Sequence, residues 1–502
     1  MRSGYKRSGF VFSVLALAAC SAAASSDGEN VGATGQAVSG TCAVTPLVGQ
    51  SLFLANNVTT YPEGVAVNTT NPFGAALLAS PSFTFLNVME QIVTSGGVDV
   101  SGPGGPEAAA LALYQQMVGT LNAPACTGTI NGFPVDCPSE GQIATTNPFT
   151  GSDHGDDIMV PTAVVNRFDL APSDGSNCGE FRIVYAINPL KIEFAARFLM
   201  IFEATLPNPT PEKGLKACLP VAQLWDNLSA PGIATSTVVD NLVQFYFQGI
   251  TVDGVTFAPV VQAANYGFGF PNNVNTGQIR LNMLSQTLDW ELRQFELAQA
   301  CTGGNGTGSC TVTATNSFVT NNPFAGLFET GGGSDPTFEA QFPSQVKALA
   351  AATIPGISMS TPQQDNGGES DESGEQLQNY LQASKGNTTL VASIQTALDA
   401  IPSTLTPTDI LNRATTQSCA GCHQLSGGTK LGGGLTWPDS NTFVQVEETT
   451  GQQSIALANF FLPFRATVLT KFIDKHCGGA DAGVDEVVAG QTVGGTDNGG
   501  AN

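Results

Sequence analysis

A chain of 502 residues is long enough for two or three domains. With 18 basic against 41 acidic residues it carries a formal charge of −23, a surface that repels phosphate backbones and anionic lipids and so argues against a nucleic-acid partner. Low lysine usage is spread along the whole chain, so the charge suits solubility, or docking with a basic electron-transfer partner, and identifies no substrate by itself.

Residues 1–19 place Arg2, Lys6 and Arg7 ahead of an apolar run from Phe10 to Ala19, which has the charge and length of a signal peptide rather than a membrane span. Its removal takes away three basic and no acidic residues and leaves the mature chain at −26. The segment Leu17-Ala18-Ala19-Cys20 resembles the bacterial lipobox. That resemblance implies cleavage before Cys20, acylation of this cysteine and a lipid anchor in the cell envelope; Ser21 after it points toward the outer membrane. Ordinary secretory cleavage at Ala22 to Ala24 is the competing reading. No later stretch approaches the roughly 20 apolar residues that cross a bilayer. Residues 20–40 are small and polar and read as a flexible tether.

Residues 41–360 are expected to form an α+β domain with disulfides. Helical spacing of apolar residues runs over Ala108 to Leu121, Val221 to Leu228 and Val238 to Phe247. Phe181 to Ile187, Arg197 to Glu203 and Gln278 to Met283 read as strands, being β-branched or aromatic and bounded by Gly, Pro or Asn. The tetrad Thr-Asn-Pro-Phe at residues 70–73 and 146–149, echoed at Asn322 to Phe324, has unequal spacing and reads as turns rather than repeats. Asn166 to Asp169 and Cys178 to Arg182 set two arginines and two acids between apolar positions, which predicts a buried ion-pair network or a polar pocket. No nucleophile elbow or phosphate loop occurs, and a Ser-His-Asp triad would have to draw on His154 or His476. The domain bears a faint resemblance to exported haem proteins without assigned function, which implies no activity. Residues 361–376 read as an acidic linker, 377–477 as a second, mainly α unit and 478–502 as a disordered tail.

The chain's chemistry is concentrated in Cys419-Ala420-Gly421-Cys422-His423. Covalent haem attachment needs two thiols to form thioethers with the porphyrin vinyl groups and a histidine directly after the second to reach the iron; Cys419, Cys422 and His423 supply all three. Thr406-Pro407-Thr408-Asp409 starts a helix just ahead of the motif, with a cap, a proline at its first position and an early acid. This arrangement resembles the entry helix and haem-binding motif of c-type cytochromes, and Ser454 to His476 resembles their closing helix; together they cover about the last fifth of the chain. The resemblance implies a cytochrome c-like domain over 377–477 with one covalent haem c and His423 as proximal iron ligand. A redox disulfide or half a zinc site is the alternative, but no strand precedes the motif and no further close ligands follow it.

The distal ligand departs from that family, because the last methionine is Met359, upstream of the motif. His476 lies on the stripe Leu462, Ala466, Leu469, Ile473, His476 and is a candidate, although a helix from Ser454 would run about 35 Å, so that its last residue could sit far from the iron, and Pro463 interrupts it. His154, in Asp153-His154-Gly155-Asp156-Asp157, is the other; its carboxylate neighbours also suit calcium or a solvated turn. The third option is an open or water-bound iron. Trp437 and Lys430 are candidates for hydrogen bonds to haem propionates.

With Cys20 assigned to lipid and Cys419 and Cys422 to haem, eight of the 11 cysteines remain, an even number. Cys126 with Cys137 and Cys301 with Cys310 are local pairs; Cys178 with Cys218 and Cys42 with Cys477 remain by elimination, and all require an oxidising compartment. The leading expectation is a cell-envelope electron carrier with a redox partner protein. A peroxidase-like enzyme with an open distal site and a surface binding protein with an accessory haem domain are the alternatives.

Overall fold

The computed structural model describes residues 52–55, 72–121, 128–130, 133–135, 147–150, 158–187, 197–270, 277–285, 290–367 apart from 305, 318, 320, 332–334 and 336, and 379–477 apart from 442, 443 and 448–450. Every described residue belongs to one compact unit, Val38–Asn502. Cys20, Cys42, Cys126, Cys137, His154 and the tail from 478 lie outside the described residues.

The centre is an eight-stranded sheet: β1 (Phe53–Ala55), β2 (Met159–Arg167), β3 (Asn177–Ile187), β4 (Phe198–Pro207), β5 (Gly267–Phe268), β6 (Gln278–Leu284), β7 (Trp290–Cys301) and β8 (Cys310–Ser317). Its order is β1-β2-β3-β4-β6-β7-β8, antiparallel throughout, with the short β5 added parallel to β7. The strands read from the sequence are all here, lengthened because neighbours supply the missing hydrogen bonds.

Side chains alternate across the sheet, and the two faces have different fates. Phe181, Ile183 and Tyr185 of β3, Met200, Phe202 and Ala204 of β4, and Ile279, Leu281 and Met283 of β6 enter one large apolar core. Covering that core are α1 (Pro72–Leu78), α2 (Phe85–Ser95), α3 (Gly105–Val118), α4 (Leu219–Asn227) and α5 (Thr235–Val243), which bury Val88, Met89 and Ile92 of α2, Leu113 and Met117 of α3, and Trp225 of α4. Phe181 stacks on Trp225 at 5.9 Å, and the Tyr185 hydroxyl, buried among them, donates to the Phe83 carbonyl at 2.8 Å.

The opposite face presents Arg167, Arg182, Glu203, Arg280 and Asn282 at alternating positions. Against this face lie Ile354 and Pro355, Cys419, Cys422 and His423, and Gln445, Val446 and Leu457. A second apolar core gathers Leu327, Phe328, Phe342 and Met359, then Tyr380, and then residues of α6 (Thr388–Asp399), α7 (Pro407–Thr415) and the loop ending at Trp437. Residues upstream of the expected boundary at 360 thus share a core with the motif-bearing segment. The head of the acidic stretch is tied down as well: Asp365 and Asn366 are buried, and Asn366 bridges to Pro323; residues 368–378 lie outside the described residues.

The last helix, α8 (Leu462–Cys477), follows a π-helical turn at Leu457–Phe461 that absorbs Pro463, which lacks the donor a regular turn needs. Its Leu462, Leu469, Phe472 and Ile473 join the first core beside α4. Two of the expected disulfides are formed. Cys178–Cys218 fastens β3 to the chain entering α4, and Cys301–Cys310 closes the β7–β8 hairpin at directly paired positions. Cys477 is also disulfide-bonded.

Candidate haem site

The entry helix α7 begins as its sequence dictates. Thr406 caps it, its side chain accepting from the Asp409 amide while the Asp409 carboxylate accepts from the Thr406 amide, and Pro407 opens the first turn. Ile410, Leu411 and Ala414 face the second core. Arg413, 1% exposed, points inward and has no carboxylate partner among the described residues. Instead it donates to four backbone carbonyls: Leu431 at 2.7 Å, Leu349 at 2.9 Å, Ala351 at 2.7 Å and Gly432 at 3.3 Å. One side chain thus ties α7 to the loop after the motif and to the segment near 350.

Beyond α7 the chain turns tightly into the motif. A Cβ at Gly421 would stand 1.6 Å from the Thr415 carbonyl oxygen, so only glycine lets the two segments meet. The Cys419 amide donates to the Asn322 side-chain oxygen at 3.0 Å, and Gly421–Leu425 forms a π-helical turn. The Trp437 indole, expected near a propionate, donates to the Cys422 carbonyl at 3.3 Å, and Ser440 donates to the His423 carbonyl. Lys430 is exposed and, like Trp437, does not line the cavity described next.

Cys419, Cys422 and His423 all open into one cavity of about 290 Å³. Its apolar walls are Phe53, Val165, Val184, Ile201, Leu292, Ile354, Leu457, Phe461 and Phe464, drawn from the sheet, the segment near 350 and the approach to α8. A smaller pocket of about 140 Å³ shares His423, Val184, Ile201 and Gln445 with it. Both thiols are free, and burial pushes them up, Cys419 to about 11 and Cys422 to about 12. They are therefore neutral thiols at neutral pH, unlike the acidified thiolate of a redox Cys-x-x-Cys. Among the described residues no group of three or more His, Cys, Asp or Glu side chains comes together to hold a metal ion.

The polar part of the cavity is the ion-pair network anticipated from residues 166–182, enlarged. Arg167 grips Asp169 through two nitrogens at 3.0 Å. Arg182 pairs with Glu180 and, across the strands, with Glu203 at 2.9 Å; Arg280 reaches Glu203 at 3.4 Å and donates to Gln294 at 3.1 Å. Arg465, from α8, adds a contact to Asp169 at 3.9 Å. Burial works against the charge on Asp169 and Glu203, yet Arg167 and Arg465 hold the first low, and Arg182 and Arg280 the second. Glu180 goes the other way, raised by burial and by Glu203 beside it. Gln417 and Gln445 also line the cavity, and Gln417 Oε1 and Gln445 Nε2 are buried without a hydrogen-bond partner.

Sequence reasoning located Arg167, Asp169, Glu180 and Arg182 but missed Glu203, Arg280 and Arg465. The available signal was a lone charge between core residues, as in Phe202-Glu203-Ala204 and Ile279-Arg280-Leu281. His476 is not among the residues lining the cavity. It sits half-buried at the end of α8, 4.7 Å from the Phe472 ring, its pKa lowered by burial and by Lys475 and Lys216. His154 lies outside the described residues. Compared with known proteins, the chain matches no family model, no curated protein and no solved structure.

Proposed function

We propose that the chain binds one covalent haem c through Cys419, Cys422 and His423 and works as an electron carrier in the cell envelope, anchored by lipid at Cys20. The observation that carries this reading is the convergence of both thiols and the adjacent histidine on a single cavity, whose other walls, part apolar and part an ion-pair network, come from distant parts of the chain. The fit is chemical as well. The thiols are neutral and free to add to vinyl groups.

When bound, the haem supplies one-electron redox chemistry. The chain's own part is to hold and shield. The carbonyls of Cys422 and His423 are fixed by Trp437 and Ser440, which sets the backbone under the imidazole. Phe53, Ile354, Phe461 and Phe464 form the apolar part of the wall, and the balance of apolar and charged surroundings tunes the potential of a centre within it.

A second reading rests on one observation: the described residues lining the cavity include no methionine and no histidine besides His423. This favours an open distal position and peroxidase-type chemistry. The test compares the full chain with Cys419→Ser/Cys422→Ser after denaturing extraction. Haem retained by the first and lost by the second supports attachment at these thiols; haem extracted from both refutes it. A six-coordinate, low-spin spectrum unmoved by cyanide or peroxide supports the carrier, and a high-spin spectrum shifted by either supports the enzyme.

A further inference from the structure

The cavity has an imbalance of charge that the haem-binding motif does not explain. Among the described residues, four guanidinium groups, Arg167, Arg182, Arg280 and Arg465, meet three carboxylates, Asp169, Glu180 and Glu203. Three of the arginines are matched within the sheet: Arg167 with Asp169, and Arg182 and Arg280 with Glu180 and Glu203. Arg465 is left over. Its single ion pair is the 3.9 Å contact to Asp169, too long for a hydrogen bond, and that carboxylate is already held by two nitrogens of Arg167. The side chain is largely buried and opens into the cavity. Its planar fork of five donors makes no hydrogen bond to a described residue, so its acceptors have to come from whatever occupies the cavity.

We propose that the cavity is an anion site in which Arg465, backed by the arginines of the sheet, takes a carboxylate or oxoanion as its partner. Such a ligand supplies the missing negative charge, and a guanidinium holds either chemistry through paired hydrogen bonds. Gln417 and Gln445 offer further polar contacts at the rim of the same space. The strain on Arg465 agrees with this: burial, together with the neighbouring Arg167, brings its pKa down to about 9, and an anion would reverse that. Two sources fit the chemistry, namely the carboxylates of a haem attached at Cys419 and Cys422 and a free small anion serving as ligand of that centre. The charge count itself does not depend on haem.

The experiment therefore begins with the full chain carrying Cys419→Ser/Cys422→Ser, titrated with acetate and with sulfate by calorimetry. One-to-one binding with a Kd of about 1 mM or tighter is expected for at least one of them. Arg465→Gln in this background weakens it at least tenfold, the loss of one charge-assisted pair, whereas Arg465→Lys, which keeps the charge but not the paired hydrogen bonds, recovers only part of it and Lys430→Gln, on the exposed loop, changes nothing. Binding that persists in the cysteine-containing, haem-loaded chain identifies a free ligand. Binding confined to the haem-free chain identifies the haem carboxylates as the occupant. If neither anion binds the haem-free chain, or if Arg465→Gln binds as well as its parent, the proposal is overturned. A chain that never acquires haem leaves this outcome readable, so the two proposals fail separately.

Discussion

Arg413 offers the sharpest test of how the motif is supported. Its guanidinium is buried at the junction of α7, the loop after the motif and the segment near 350, and all four of its acceptors are backbone carbonyls. Arg413→Met keeps most of the aliphatic bulk and removes every donor. Two of the bonds, to Leu431 and Leu349, lie in fully buried surroundings, where a hydrogen bond from a charged donor contributes about 1.5–3 kcal/mol. The two partly buried bonds add less because water reaches their carbonyls, so the expected loss is at least about 3–6 kcal/mol, a large share of the roughly 5–15 kcal/mol that holds a native protein together. Urea unfolding followed by tryptophan fluorescence measures it, since Trp437 reports on this core. A loss under about 1 kcal/mol, with the loop after the motif still protected from proteolysis, would refute the inference that this arginine fixes the motif's surroundings.

Three other outcomes follow from the same structure. Gly421→Ala drives a methyl group into the Thr415 carbonyl and lowers stability by about 1–3 kcal/mol or more, with reduced haem incorporation measured by absorbance per protein. Removing Cys178–Cys218, which spans 40 residues, costs roughly 4 kcal/mol, and removing Cys301–Cys310, which spans 9, roughly 2.5–3; chemical denaturation of the two double-serine variants gives that order. Asp365 is buried with both carboxylate oxygens unpartnered, and burial and nearby Asp335 push it up to about 6. The folded state thus binds this proton more tightly than the unfolded state, so its contribution to stability falls as pH rises from about 4 to 6. Asp365→Asn raises the thermal midpoint near pH 7.5 and leaves it unraised near pH 4.

The local features were legible in the sequence because their causes are local. The Thr406 and Asp409 cap, the three central strands, the helices near 110, 221 and 238 and the 301–310 disulfide each rest on residues a few positions apart. What the sequence concealed is pairing at a distance. Glu203 and Arg280 meet because β4 and β6 are neighbours, with a helical excursion between them in the chain, and Arg465 reaches Asp169 from α8. The stripe Leu462, Leu469, Ile473 was visible, but its periodicity alone does not say which core it enters, and it enters the first. The same limit applied to His476, whose place on the stripe did not reveal that it ends beside Phe472 and away from the cavity wall.

The account turns on whether Cys419 and Cys422 carry haem. The most direct measurement is the alkaline pyridine haemochrome spectrum of the full chain, purified after export from a host that attaches haem to secreted cytochromes. The account predicts the reduced absorption of a haem with both vinyl groups saturated by thioethers, at one haem per chain, and its loss in Cys419→Ser/Cys422→Ser. A spectrum without haem, or one of haem with its vinyl groups intact, would contradict it.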